Sequence, residues 1–149
     1  MKTAILVDGG FYKRRAQKLF GEKTAKERAS ELQYYCKLHL RSFRDDFPDD
    51  ELYRIFYYDC PPMDKKVYHP YHKKQIDFSK TELYTWMTEF LLQLKSKRKF
   101  ALRLGKLSDT QAEYLLRYET IKKLCNGSIQ FEDLTENDFA LNVDQKGVD

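Results

Sequence analysis

Apolar positions in this chain fall into short continuous runs that alternate with stretches of helical spacing. Thr3 to Val7 is a compact run ended by Asp8-Gly9-Gly10, the pattern of a buried strand delivered into a sharp break. A helix is predicted from Gly10 or Phe11, carrying Lys13, Arg14 and Arg15 and interrupted at Gly21. Thr24-x-x-Glu27 has the form of a capping box, so a second helix begins there. Its apolar positions Ala25, Ala29, Leu32, Cys36, Leu40 and Phe43 keep helical spacing until Asp45-Asp46 and Pro48 close it. Leu52 to Tyr58 is rich in strand-forming residues and runs into Asp59, with Pro61-Pro62 barring continuation. Met63 to Asp77 reads as a polar loop. Ser79-x-x-Glu82 is a further capping box, and Leu83, Trp86, Met87, Phe90, Leu91 and Leu94 give the clearest helical stripe of the chain. Phe100 to Leu104 reads as a strand ended by Gly105. Ser108-x-x-Gln111 is expected to open a helix, with Leu115, Leu116, Ile121 and Leu124 inside and Asn126-Gly127 as its stop. Phe139 to Val143 reads as a short strand, and Gln145 to Asp149 as the turn into a helix that the sequence does not build.

Strands alternating with helices predict an α/β fold with a mostly parallel sheet. With 149 residues and no repeat, low-complexity tract or linker, one domain is expected over 1–149. Charged residues at 34% and hydrophobic residues at 42% exclude a disordered chain, and no run approaches the ~20 apolar residues of a membrane helix. The apolar stretch before Asp8 is too short for a secretory leader, which points to the cytoplasm. Cys36, Cys60 and Cys125 are scattered with no CxxC pair, so free thiols are expected. A net charge of +4 permits nucleic-acid binding without demanding it.

The chemistry follows from where acids fall on the pattern. In an open parallel sheet, ligands gather at the carboxyl ends of strands. Asp8 and Asp59 both lie just past strand ends, and Asp149 follows another strand-like segment. Carboxylates without His or Cys partners suit a hard cation, Mg²⁺ or Mn²⁺, which clamps a phosphodiester and activates water. Gly9 and Gly10 would let backbone approach a phosphate. The bland readings are that Asp8 caps a helix, that Asp149 is a frayed terminus, and that Asp59 accepts from turn amides. Lys13, Arg14 and Lys146 adjoin the site and are the candidate phosphate contacts. Lys65, Lys66, His69, His72, Lys73 and Lys74, interleaved with Tyr68 and Tyr71, form either an RNA-gripping loop or a solvated one. His69-x-x-His72 has metal-ligand character, but Pro70 argues against the helix that would align the pair. Lys95, Lys97, Arg98 and Lys99 read as the basic end of a helix, and Trp86, Phe90 and Leu94 as core.

Ile5-Leu6-Val7-Asp8-Gly9-Gly10-Phe11-Tyr12, Arg54 to Pro62, Leu102-Arg103-Leu104-Gly105 and Gln145-Lys146-Gly147-Val148-Asp149 occur in that order. Together they resemble the NYN domain, in its LabA-like branch, of the PIN-like nuclease superfamily. The resemblance spans the chain from end to end, and no single tetrapeptide carries it. It implies a three-layer α/β/α, Rossmann-like fold and divalent-metal ribonuclease activity, hydrolysing RNA phosphodiesters with Mg²⁺ or Mn²⁺. It assigns metal-site and catalytic roles to Asp8 and Asp149 and brings Asp59 to the rim without making it a ligand. The family's further acidic helix position and its later Ser-Gly-Asp-Ser-Asp-like strand have no counterpart, so the C-terminal strands are expected to be missing.

Ile5 and Val7 should then lie on an exposed sheet edge. The chain is a fragment, or a second copy or other chain fills the gap, or the later segments are rebuilt locally; the last fits least, because no spare strand is visible. Weak or absent cleavage is expected, since two acids hold a catalytic ion poorly. The alternative function is a non-catalytic RNA-binding or protein-assembly module using the basic surface and the open edge. A Mg²⁺-dependent phosphotransfer domain ranks third, lacking a second Asp two residues after Asp8 and any P-loop.

Overall fold

The computed structural model describes residues 2–46 and 51–146, apart from the side chains of residues 43–46, 109–111 and 145–146. Its main elements are β1 (Lys2–Asp8), α1 (Gly9–Phe20), α2 (Ala25–Asp46), β2 (Glu51–Asp59), β3 (Lys66–His69), β4 (Lys74–Asp77), α3 (Glu82–Ser96), β5 (Phe100–Leu104), β6 (Lys106–Leu116), α4 (Tyr118–Cys125) and β7 (Phe139–Lys146). Short 3₁₀ turns fill Phe78–Lys80, Phe131–Asp133 and Glu136–Asp138.

A three-stranded sheet in the order β1-β2-β5, parallel throughout, is the frame of this mixed α/β fold. Ile5 aligns with Ile55 and Phe100, and Leu6 with Phe56 and Ala101, so side chains alternate between two faces. Ile55, Tyr57, Phe100 and Leu102 on one face pack with Ala25, Ala29, Leu32 and Cys36 of α2 and Phe90, Leu91 and Leu94 of α3. Tyr57, Phe90 and Leu94 are fully buried, and each such side chain contributes about 1.5–3 kcal/mol. Phe90 is the hub: its ring stacks on Trp86 at 5.1 Å and meets Tyr57 edge-on at 5.7 Å. On the opposite face Leu6 is 67% exposed, and β1 is an outer strand of this sheet. Among the described residues no helix is long and apolar enough to cross a membrane.

Local chemistry sets the joints. Gly21 ends α1 at φ 71°, a left-handed conformation that favours glycine. The Thr24 and Glu27 capping box forms as expected, with the Thr24 amide donating to Glu27 at 2.9 Å and the Glu27 amide to Thr24 Oγ1 at 3.3 Å. Arg28, 3% exposed, pairs with Glu31 at 2.7 Å and donates to the Gly21 carbonyl, while Tyr12 donates to Glu31 at 3.0 Å. Lys97 and Lys99 of the basic run are fasteners, donating to Ser30 Oγ and to the Leu52 carbonyl.

Four sequence expectations are corrected. The stretch from Met63 to Asp77 is not a simple loop but contains the antiparallel hairpin β3–β4, where Val67 is buried and supplies the apolar contact that its lysine neighbours obscured. The α3 cap is Thr81, whose Oγ1 accepts from the Tyr84 amide at 3.2 Å; Ser79 sits in the preceding 3₁₀ turn, itself capped by Asp77. Leu83 of the helical stripe is 70% exposed. Finally, Ser108 to Leu116 is strand, not helix: β6 pairs antiparallel with β7, with an irregularity between Ser108 and Glu113. Cross-strand partners on β7 outweigh the local capping pattern there, and the helix begins only at Tyr118. A spare strand therefore exists, yet β6 and β7 form their own sheet and leave β1 at the edge of the parallel one.

Candidate functional site

The expected rim is present. β1 and β2 run parallel and in register, with Asp8 beside Tyr58, so Asp8 and Asp59 emerge at the same carboxyl end. Helix α1 starts at Gly9, directly after Asp8, which turns its amide-rich end toward the same rim. Gly9 is buried, and a Cβ there would lie 2.5 Å from the Tyr57 hydroxyl and 2.7 Å from Asp59 Oδ2. The absence of a side chain lets the helix start press onto the two residues behind it.

The two acids have different surroundings. Asp8 is exposed, and its Oδ1 caps α1 by accepting from the Phe11 amide at 2.8 Å. Asp59 is 8% exposed and fully engaged: Oδ2 takes the Tyr57 hydroxyl at 2.9 Å and the Lys13 ammonium at 2.6 Å, and Oδ1 takes the Cys60 amide at 2.9 Å. Burial raises the Tyr57 phenol well above its ordinary value, with the Asp59 and Asp8 charges adding to the effect. The phenol therefore remains a donor to Asp59 across the working pH range. Asp59 is an anchor paired with Lys13, whereas Asp8 is exposed and its hydrogen bond among the described residues is the cap to Phe11.

Lys13 is thus committed to Asp59 and also approaches Met87 Sδ at 3.3 Å. Arg14 is exposed, with its Nε donating to the Gly10 carbonyl at 3.2 Å. The backbone of Lys146 pairs with Lys106, whose carbonyl lies 4.0 Å from Cys60 Sγ, next to Asp59; the Gly105 amide donates to the Asp59 carbonyl at 2.9 Å. β7 therefore brings the chain back toward the rim that carries Asp8. Asp149, the other expected ligand, lies outside the described residues, as does the Lys146 side chain. Beside the rim a cleft of about 310 Å³ is lined by Lys13, Asp59, Cys60, Pro61, Met63, Tyr84 and Leu141, among others.

The structure also gathers residues that periodicity alone does not join. His69, His72 and Glu136 offer ligand atoms all within 4.8 Å of one another. The hairpin turn supplies the alignment that Pro70 denied to a helix, whereas Glu136 comes from a segment distant in sequence and carries no local motif. Comparison with protein-family models, with curated proteins and with solved structures finds no match for this chain.

Proposed function

We propose that this chain is a PIN-like, NYN-type ribonuclease domain that hydrolyses RNA phosphodiesters, weakly by itself, with Mg²⁺ or Mn²⁺ held at Asp8 and Asp149. The observation that carries this reading is the rim itself. Two parallel strands deliver Asp8 and Asp59 to the same carboxyl end, Asp8 level with Tyr58 and Asp59 one residue further along β2, with the start of α1 at Gly9 pressed against Tyr57 and Asp59. Asp8 would hold the ion, and a water on that ion would attack phosphorus in line. Asp59 and Lys13 act as a positioning pair that fixes the start of α1 without ligating metal. Exposed Arg14 would contact phosphate, and Lys146, where β7 returns, would be its companion. Asp149 would supply the second carboxylate, three residues beyond Lys146.

Incubation of labelled single-stranded RNA with the isolated protein and Mn²⁺ tests the proposal. Cleavage is expected to be weak or absent, because Asp8 and Asp149 together carry little charge for a catalytic ion; residual cleavage should disappear in Asp8→Asn. Robust cleavage would contradict the incomplete-site reading, and cleavage that survives Asp8→Asn would remove Asp8 from the mechanism.

A second reading, a non-catalytic RNA-binding or assembly module, is favoured by a separate observation: β1 is an outer strand of the parallel sheet, and Leu6 within it is 67% exposed. A strand from a second copy would pair there. A light-scattering mass of the monomer, together with no salt-sensitive RNA binding, would count against this reading.

A further inference from the structure

The β3–β4 hairpin turn spans residues 70–73 and places His69 and His72 on one side, with ring centroids 4.6 Å apart. Lys73 completes the reversal at φ 51°. His69 is 2% exposed, and its ring lies 4.1 Å from that of Tyr114 on β6 and 5.8 Å from that of Phe139 on β7. Its Nδ1 is buried with no hydrogen-bond partner among the described residues. A buried imidazole nitrogen without a partner is an uncommon feature that calls for a ligand or an ordered water. His69 shares its cluster with Glu136, whose Oε1 is already 3.1 Å from His72 Nε2.

Glu136 is presented by a well-pinned turn. Asp138 Oδ2 accepts from the Thr135 amide at 2.8 Å, and Asp138 Oδ1 takes the Thr120 hydroxyl at 2.8 Å. The turn cannot drift without breaking this box. One ligand is therefore fixed by burial, while His72 and Glu136, more exposed, can adjust their rotamers.

We propose that His69, His72 and Glu136 form a transition-metal site, best suited to Zn²⁺, distinct from the Asp8 rim. Two imidazoles and a carboxylate are a zinc donor set, whereas Mg²⁺ prefers oxygen alone. Zn–N and Zn–O bonds of about 2.0–2.2 Å place tetrahedral ligand atoms about 3.4 Å apart. The three atoms lie within 4.8 Å, so a small closing movement of the two exposed side chains suffices. Three protein ligands leave a fourth position for water or an external donor. The bound ion would clamp the hairpin turn to the segment that enters β7. Tyr114 lies toward the far end of β6 from Lys106, so this site stands apart from the rim and does not rest on the ribonuclease reading.

The test strips the full chain with chelator, re-equilibrates it with Zn²⁺ and measures retained metal by elemental analysis. One Zn²⁺ per chain is expected, with a rise in melting temperature, and Co²⁺ in its place should give the strong visible bands of a four-coordinate site. Glu136→Gln and His72→Gln, both at exposed positions, should weaken Zn²⁺ binding at least tenfold while leaving the circular dichroism unchanged. His69→Phe keeps an aromatic ring against Tyr114 and should abolish retention. No retained Zn²⁺ in the wild type would overturn the proposal, as would equal retention by Glu136→Gln and His72→Gln, which would place the ion elsewhere.

Discussion

At the scale of single residues, the rim separates a buried, paired acid, Asp59, from an exposed helix-capping one, Asp8. Asp59 is held by three donors, so Asp59→Asn should lower stability by about 1–3 kcal/mol in urea titrations, because Lys13 and Tyr57 lose their charged acceptor. Asp8→Asn should change stability by less than about 0.5 kcal/mol, since Asn caps a helix as well as Asp does. Equal losses for the two variants would contradict this division. Gly9→Ala is a third case: the added Cβ meets the buried Tyr57 ring at 2.5 Å, and neither Tyr57 nor Asp59 is free to move. A loss of about 1–3 kcal/mol is expected from overpacking, and a neutral outcome would show that α1 shifts readily. The Asp8-Gly9-Gly10 signal was legible in the sequence because strand, break and helix start are adjacent. The Lys13–Asp59 pairing was not, because only the fold brings α1 and the end of β2 together.

At the scale of elements, the acidic caps and the α1–α2 joint make stability sensitive to acid. For Glu31, burial alone would raise the carboxyl pKa, but hydrogen bonds from Lys23, Arg28 and Tyr12 outweigh it and hold the value below the ordinary 4.5. Hydrogen bonds from Thr24 lower Glu27, and those from Ser79 lower Asp77. A lowered folded value means the ionised form stabilises. That contribution is present above the ordinary values, near 4.5 for Glu and 3.8 for Asp, and is lost as pH falls through the lowered folded ones. Urea midpoints should therefore drop on acidification below about pH 4.5, and Glu31→Gln should flatten that dependence. An unchanged slope would contradict the role of Glu31. Thr24→Ala should cost about 0.5–2 kcal/mol through the lost cap.

Elements with a local code were read correctly: β1 from its apolar run, α2 from its capping box, and α3 from its helical stripe. The hairpin β3–β4 and strand β6 were missed because their stability lies in cross-strand partners, Val67 with Ile76 and Leu115 with Ala140, which no local window contains.

At the scale of the whole molecule, one face of the parallel sheet is packed under α2 and α3, and β1 lies at its edge. The strands end in a rim where Asp8 faces outward, and β7 brings the chain back beside it at Lys146. The central claim is that this rim, through Asp8, is where a hard divalent ion binds. The most direct measurement is Mn²⁺-induced broadening of backbone amide signals in a Glu136→Gln background, which silences the His69 and His72 cluster. Selective broadening at Asp8, Gly9, Gly10, Cys60 and Gly105, abolished by Asp8→Asn, is the predicted result. Broadening that bypasses these residues, or persists unchanged in Asp8→Asn, would contradict the account.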